Sequence, residues 1–202
     1  MSENKTENKT SEAIRNISTA MLFFLIDVNI LGFDVVPDFV GWLSLIGAVD
    51  LLTGKVKGIE RIRTFGCVML WYELAMVVLN YIGHLVPFYD VLSSYLGIFI
   101  PCIRIYFMYI ILTAAAEIGA AEGGEAQTLK KLCRSRNWVV LSELGVYLVA
   151  AVQGAEEVGG IIWVPFVVYF ISCIGCILRL ICLKEEIEIW EKENLEIQEI
   201  AE

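Results

Sequence analysis

Residues 160–183 read GIIWVPFVVYFISCIGCILRLICL, a run of 24 residues in which Arg179 is the single charged side chain. A helix that crosses a bilayer needs about 20 predominantly apolar residues, so this stretch is long enough to span a membrane. Only helices and closed barrels satisfy every backbone group in lipid, and an apolar run without alternation is not a barrel strand. The stretch therefore predicts an all-α integral membrane fold.

This run is the second half of a longer apolar region, 138–183, and two more apolar regions, 17–53 and 65–117, precede it. Each of the three is long enough for a helical hairpin. Turn-forming or polar residues divide the regions at 32–38, 87–90 and 154–160. The sequence leaves open whether the first hairpin crosses the membrane fully or re-enters on the same side. We predict a bundle of about six transmembrane helices in three hairpins, at 15–33, 38–54, 65–86, 94–117, 138–154 and 160–183.

The composition supports a membrane protein and excludes two other classes. The 202 residues are 57% apolar and 19% charged, whereas soluble domains are nearer 45–50% and 25%. The net charge of −9 argues against a nucleic-acid partner, because binding to phosphates needs a basic surface. The six cysteines lie in apolar runs or beside basic loops, where cysteine packs as a small apolar residue rather than in a disulfide framework.

Basic residues mark one side of the membrane. They occur in the leader and in the loops that follow the first and second hairpins, whereas the three hairpin tips carry acidic residues and neither lysine nor arginine. Because cytoplasmic loops are enriched in lysine and arginine, this pattern places both termini in the cytoplasm. The basic residues are Lys5, Lys9, Arg15, Lys55, Lys57, Arg61, Arg63, Lys130, Lys131, Arg134 and Arg136.

The two ends differ in character. Residues 1–14 contain the repeat ENKT-ENKT and are predicted to be a disordered cytoplasmic leader. Residues 184–202 hold eight glutamates and two lysines, with Ile187, Trp190 and Ile197 at helical spacing, which predicts an acidic amphipathic cytoplasmic helix. This tail either packs on the cytoplasmic loops or docks a protein partner or a second copy, and its charge disfavours binding to the acidic lipid surface.

Ionisable residues within spans are costly in lipid and are therefore functional candidates. Counting about 1.5 Å per residue from the cytoplasmic side places several polar residues near the middle of the membrane. One interpretation is an ion-pair network that fixes helix register, and the other is a site for an ion, proton or anionic solute. The predicted midplane polar cluster is Asp27, Asn29, Glu73, Asn80 and Arg104.

Other charged residues lie nearer the cytoplasmic ends of the predicted spans. The same depth count puts Glu143 level with Arg179 in the neighbouring antiparallel helix, so we predict a structural ion pair between them. Asp50 is within reach of Lys55 or Lys57.

The sequence offers little for catalysis. Cys173 and Cys176 form a C-x-x-C pair within a predicted span, which indicates either a membrane thiol oxidoreductase or two packed apolar residues. No nucleophile elbow, metal-binding spacing or phosphate loop is present in the sequence. We therefore predict no catalytic residue, no metal site and no cofactor.

The run IDVNILGFDVVPDFVGW at 26–42 resembles the first hairpin of small polytopic membrane proteins of Gram-positive bacteria. It covers under a tenth of the chain. The resemblance implies a bacterial cytoplasmic membrane location and carries no activity. On physical grounds, Pro37 sets the turn, Asp38 caps the second helix and Gly41 permits close helix approach.

Three functional classes follow. The first is a non-catalytic accessory, regulatory or immunity-type membrane subunit, with the lipid bilayer and a protein bound through residues 184–202 as its partners. The second is a small oligomeric transporter or channel that uses Asp27, Glu73 and Arg104. The third is a thiol oxidoreductase that uses Cys173 and Cys176.

Overall fold

The computed structural model describes residues 9–25, 29–30, 33–34, 38–82, 89–152 and 163–201. Apart from one pair of two-residue strands and the turns at 53–58 and 122–125, these residues form helices, so the predicted all-α class is confirmed. The strands are β1 (Asn29–Ile30) and β2 (Phe33–Asp34), which pair antiparallel. The helices are α1 (Lys9–Leu25), α2 (Asp38–Leu52), α3 (Ile59–Ile82), α4 (Tyr89–Ala121), α5 (Ala126–Val152) and α6 (Trp163–Ala201).

Three of the described helices are long and apolar enough to cross a membrane. The apolar segments are Ile62–Leu79 in α3, Cys102–Ala121 in α4 and Val164–Ile197 in α6. Helix α2 is apolar over Phe39–Leu52 but is only about 21 Å long over that segment. The structure is therefore compatible with a membrane location, while the count of six spans and the orientation stay predictions.

The first predicted helix, 15–33, is wrong at both ends. Helix α1 begins at Lys9, so residues 9–14 of the predicted disordered leader are helical, and Ala13 and Ile14 are fully buried. The helix ends at Leu25, and residues 29–34 contribute β1 and β2 instead. Asn, Gly and Asp are poor helix formers, and this segment contains one of each at 29, 32 and 34.

Several other helices are longer than their apolar segments. Helix α3 begins at Ile59 rather than at 65, and α5 begins at Ala126 rather than at 138. The apolar face of α5 continues through this early part, where Leu132 is fully buried. A count of apolar residues predicts only the segment that would lie in lipid. A helix extends beyond that segment wherever one of its faces packs on neighbouring helices.

Helix α1 buries one face against several other helices. It packs against α2 and α6 and also contacts α4, while α5 packs between α4 and α6, and α3 packs on α2. Its buried apolar residues recur every three or four positions, which gives one continuous face for these neighbours. They are Ala13, Ile14, Ile17, Ala20, Met21 and Phe24.

An aromatic cluster joins α1, α2 and α4. The Trp42 ring is fully buried and lies 5.1 Å from the Phe24 ring and 5.2 Å, edge-on, from the Phe107 ring. Gly41 allows this approach, because a Cβ atom there would stand 2.6 Å from the Phe24 ring. The close helix approach predicted at Gly41 is confirmed.

A polar layer closes the end of the bundle where the interhelical turns meet the second half of α6. Lys55 Nζ donates to Thr10 Oγ1 at 2.5 Å and to Glu122 Oε1 at 2.7 Å. Ser11 Oγ donates to Glu188 Oε1 at 2.7 Å. These bonds tie the start of α1, the α2–α3 loop, the α4–α5 turn and α6 together. We call Thr10, Ser11, Lys55, Glu122, Glu186 and Glu188 the loop layer.

Helix α6 also covers the α4–α5 turn directly. Glu186 accepts hydrogen bonds from the backbone of Glu125 at 2.8 Å and from Thr128 Oγ1 at 2.5 Å. Gly123, at φ +84°, lies beneath Trp190, where a Cβ atom would collide with the indole. Ile187 is fully buried. The segment 184–190, predicted as the start of the tail, therefore packs on these turns.

Candidate functional site

Arg104 is the centre of the candidate site. Its Nε and Nη2 atoms lie 2.9 Å and 2.8 Å from Glu143 Oε1, and Nη2 also donates to Tyr147 Oη at 2.5 Å. The guanidinium carbon is 5.9 Å from the centre of the Tyr147 ring. The Glu143 side chain is 4% exposed and that of Arg104 is 21% exposed, so the carboxylate is enclosed and the cation is partly accessible.

The α4–α5 hairpin brings this pair together. Arg104 lies 18 residues before Glu122, and Glu143 lies 18 residues after Glu125. Because the two helices are antiparallel and joined by the short turn between these glutamates, equal spacing places both residues at the same level. Tyr147 follows Glu143 by four residues and therefore lies on the same face of α5.

A cavity of about 320 Å³ lies beside Arg104. Arg104, Glu143 and Tyr147 form its polar wall. The rest of the wall is apolar or aromatic and comes from α1, α5 and α6: Phe24, Leu25, Val146, Phe166, Tyr169 and Phe170. This combination of a few polar groups with a mainly apolar lining is typical of small-molecule sites.

The predicted midplane cluster is described only in part. Asp27 lies outside the described residues, as do the side chains of Asn29, in β1, and Asn80, in α3. Glu73 lies in α3 and is half-buried. The structure therefore gives a site geometry for Arg104, and the grouping of these five residues stays a prediction.

The predicted ion pair between Glu143 and Arg179 is wrong, because Glu143 pairs with Arg104. The residues of α6 that share the cavity wall with Glu143 are near Tyr169, ten residues before Arg179 and about 15 Å away along the helix. The depth count failed because it measured Glu143 from Trp138, whereas α5 begins at Ala126.

Asp50 also has a partner other than the predicted one. Arg63 Nε lies 2.6 Å from Asp50 Oδ1, at an exposed position between α2 and α3. Lys55, one of the two predicted partners, belongs instead to the loop layer.

The cysteine pair is enclosed. Cys173 is 2% exposed, Cys176 is fully buried, and both are free thiols. A partner disulfide would reach these sulfur atoms only after the helices had separated, so the arrangement favours a packing role over thiol exchange. Within the described ranges, no three His, Cys, Asp or Glu side chains are grouped in a way that would hold a metal ion.

Sequence reasoning missed Tyr147 and the aromatic wall. The signal for Tyr147 was its spacing of four residues from Glu143, which places it on the same helical face. Phe24, Phe166 and Phe170 come from helices distant in sequence, and their convergence follows from the packing of α1 and α6, which no local pattern indicates.

Comparison with protein families, with curated proteins and with solved structures finds no match for this chain.

Chemically, the site can bind but holds few groups that would transform a ligand. The Arg104 guanidinium keeps its charge at every physiological pH and offers a planar set of donors. Glu143 balances this charge, and the Tyr147 hydroxyl oxygen accepts a hydrogen bond from one of the guanidinium N–H groups. Such an arrangement suits a ligand that places a polar group at Arg104 and an apolar body against the aromatic wall.

Proposed function

We propose that this chain is a non-catalytic membrane protein that binds a small amphipathic solute in the cavity beside Arg104, and that it acts as an accessory or regulatory subunit. The ligand class follows from the lining: a polar or anionic group at Arg104, and a hydrocarbon or aromatic body against Phe166 and Phe170. The observation that carries the proposal is the position of Arg104, held by Glu143 and Tyr147 while it lines an open volume.

The energetics of a buried ion pair support this assignment. A fully enclosed ion pair carries the largest desolvation penalty, and its attraction offsets that penalty only where the geometry is good and the remaining polar atoms are hydrogen-bonded. The Arg104 side chain instead is 21% exposed and lines a cavity of about 320 Å³, within the size range of small-molecule sites. The guanidinium therefore borders the cavity, where a polar group of a ligand would lie beside it.

Solute binding is tested with the protein in nanodiscs. Small carboxylates and phosphate esters with apolar bodies are screened for a rise in the thermal unfolding midpoint, since a ligand that binds the folded state stabilises it. Hits are then tested against the double variant Arg104→Gln/Glu143→Gln, which removes both charges together. The matched control is Arg179→Gln. Arg179 lies in α6, within an apolar segment long enough to cross a membrane, as Arg104 does in α4.

The proposal requires hits whose stabilisation is lost in the double variant and kept in Arg179→Gln. Equal stabilisation of all three proteins would show that the solutes act elsewhere, and the assignment of the cavity would fall.

Transport is the second candidate, because Arg104 lines a volume rather than a filled interior. This alternative also uses Asp27 and Glu73, and a protein of this size would act as an oligomer. It is tested by solute flux in liposomes, where Asp27→Asn and Glu73→Gln should reduce flux. Binding without flux would leave the accessory role as the better description.

The membrane arrangement is part of the proposal. We infer six crossings with both termini in the cytoplasm of a bacterial cell, supported by the basic residues of the interhelical loops. The loop layer would then lie on the cytoplasmic side. A docking role for the tail stays a prediction, and it applies best to residues 191–197, which extend beyond the loop layer and expose Leu195 and Ile197.

A further inference from the structure

A second cavity opens between α3 and α4, near the loop layer. Its volume is about 530 Å³, and it lies where α3 and α4 make few contacts with each other, far fewer than α3 makes with α2 or α4 makes with α5. We call it the α3–α4 groove; its walls include Lys57, Ile62, Phe65, Tyr109, Thr113 and Glu117.

Two cations lie at or beside this groove: Lys57 is in its wall, and Arg136 is outside the lining but contacts two wall residues; among the described residues neither is paired with a carboxylate. Lys57 lies in its wall and is exposed. Arg136 reaches across from α5, where its Nη1 donates to Thr113 Oγ1 at 2.7 Å and its guanidinium lies 4.3 Å from the centre of the Tyr109 ring. Its other hydrogen bonds go to the amide oxygen of Asn137, so the guanidinium contacts neutral groups only in the described structure.

Away from the loop layer, the groove is lined by apolar and aromatic side chains, some of which are exposed. Phe65 is 54% exposed and Tyr106 is 63% exposed, and both belong to helices with an apolar segment long enough to cross a membrane. Exposed aromatic side chains of this kind pack against acyl chains near the interface. The groove thus combines cations at its loop end with an apolar surface along its length.

We propose that the α3–α4 groove binds one acidic phospholipid, with the phosphate beside Lys57 and Arg136 and an acyl chain along Phe65 and Ile62. Basic pockets between transmembrane helices on the cytoplasmic side are suited to such headgroups. The proposal rests on the membrane placement inferred above and is independent of the solute cavity.

Glu117 provides a test of sign, because it is the one carboxylate among the described residues of the groove wall. Its negative charge repels a phosphate, so removing that charge should strengthen lipid binding. The same change would weaken the binding of a cation. If the groove held its occupant by apolar contact alone, removing the Glu117 charge would leave the affinity unchanged.

The experiment measures lipid retention by native mass spectrometry of the full chain, with phosphatidylglycerol and phosphatidylcholine offered in equal amounts. We expect one phosphatidylglycerol to be retained preferentially. Lys57→Gln/Arg136→Gln should weaken its binding about 30-fold, corresponding to about 1 kcal/mol for each charge. Glu117→Gln should tighten binding about fivefold.

The matched control is Lys130→Gln/Lys131→Gln, which removes the same net charge from exposed positions in α5. An equal loss in this control would show non-specific attraction and overturn the proposal, as would unchanged retention in the Lys57/Arg136 variant. Glycerol phosphate is added as a competitor. If it displaces the lipid at equal concentration, the groove is a site for a free phosphate ester and the lipid assignment is wrong. The unfolding midpoint without lipid verifies that each variant is folded.

Discussion

At the scale of single residues, the exposure of Arg104 and Glu143 differs, and this difference decides what each contributes. Glu143 is almost fully enclosed, whereas Arg104 retains contact with the cavity. Removing the cation alone strands a buried carboxylate, which is the costly way to break an ion pair.

We therefore predict that Arg104→Gln lowers the free energy of unfolding by roughly 3–5 kcal/mol. The double variant Arg104→Gln/Glu143→Gln should lose much less, because two amides can hydrogen-bond without a buried charge. The measurement is denaturant unfolding in mixed micelles, with Arg179→Gln as the control. Equal losses in the single and double variants would mean that the pair is not coupled.

Gly41 allows a second residue-scale prediction. Gly41→Ala places a methyl group 2.6 Å from the Phe24 ring, and that ring is packed against Trp42. We expect a loss of roughly 1–3 kcal/mol from overpacking.

Gly47→Ala, on the same helix, is the matched control. Its nearest neighbour is the Asn16 side chain at 3.4 Å, so the substitution should be neutral or slightly stabilising, since alanine is the better helix former. The two variants are compared by thermal unfolding. A similar effect at both positions would show that the α1–α2 contact is not tight at Gly41.

Much of the residue scale was accessible from sequence, but the pairing was not. The charged residues of the spans and the role of Gly41 follow from composition and spacing. The partner of Glu143 did not follow from them. Placing the start of α5 twelve residues too late changes the estimated depth of Glu143 by about 18 Å. Counting from the α4–α5 turn gives the observed pair, since a turn fixes register more firmly than a hydropathy boundary.

At the scale of elements, the apolar pattern identified the helices but not their ends. Helix α6 runs through to Ala201, and the acidic half of it is held by specific contacts. Sequence reasoning left open whether this half packs on the loops or docks a partner. The structure divides the segment, with 184–190 packed on the turns and residues 191–197 more exposed.

This division predicts the outcome of two truncations. Deleting 191–202 should change the free energy of unfolding by less than about 0.5 kcal/mol, as expected for exposed positions. Deleting 185–202 also removes buried Ile187 and the bonds to Ser11 and Thr128, and it should cost at least about 2 kcal/mol.

Both truncations are measured by the same unfolding assay. A large loss from the shorter deletion would contradict the division at residue 190. A co-purifying protein that is lost with the shorter deletion, at unchanged stability, would support docking by the distal segment.

At the scale of the whole molecule, the helices α3 and α4 lie between the two basic loops. If both cross the membrane, Lys57 and Lys130 lie on the same side. We predict that Lys57→Cys and Lys130→Cys react with an impermeant maleimide only after the cells are permeabilised, whereas Glu157→Cys reacts in intact cells. Cysteine-free protein provides the background. Labelling of Lys57→Cys and Lys130→Cys from opposite sides would exclude the inferred topology.

The bond between Ser11 and Glu188 joins positions 177 residues apart in sequence. A ribosome that adds about 5–20 residues per second needs about 10–35 s to make that interval. Helix α1 leaves the exit tunnel long before its partner α6 exists, so buried Ser11 makes its bond to Glu188 only at the end of synthesis. The contacts of α1 with α2 can therefore form early, whereas its contacts with α6 complete the bundle only after the last helix has been made.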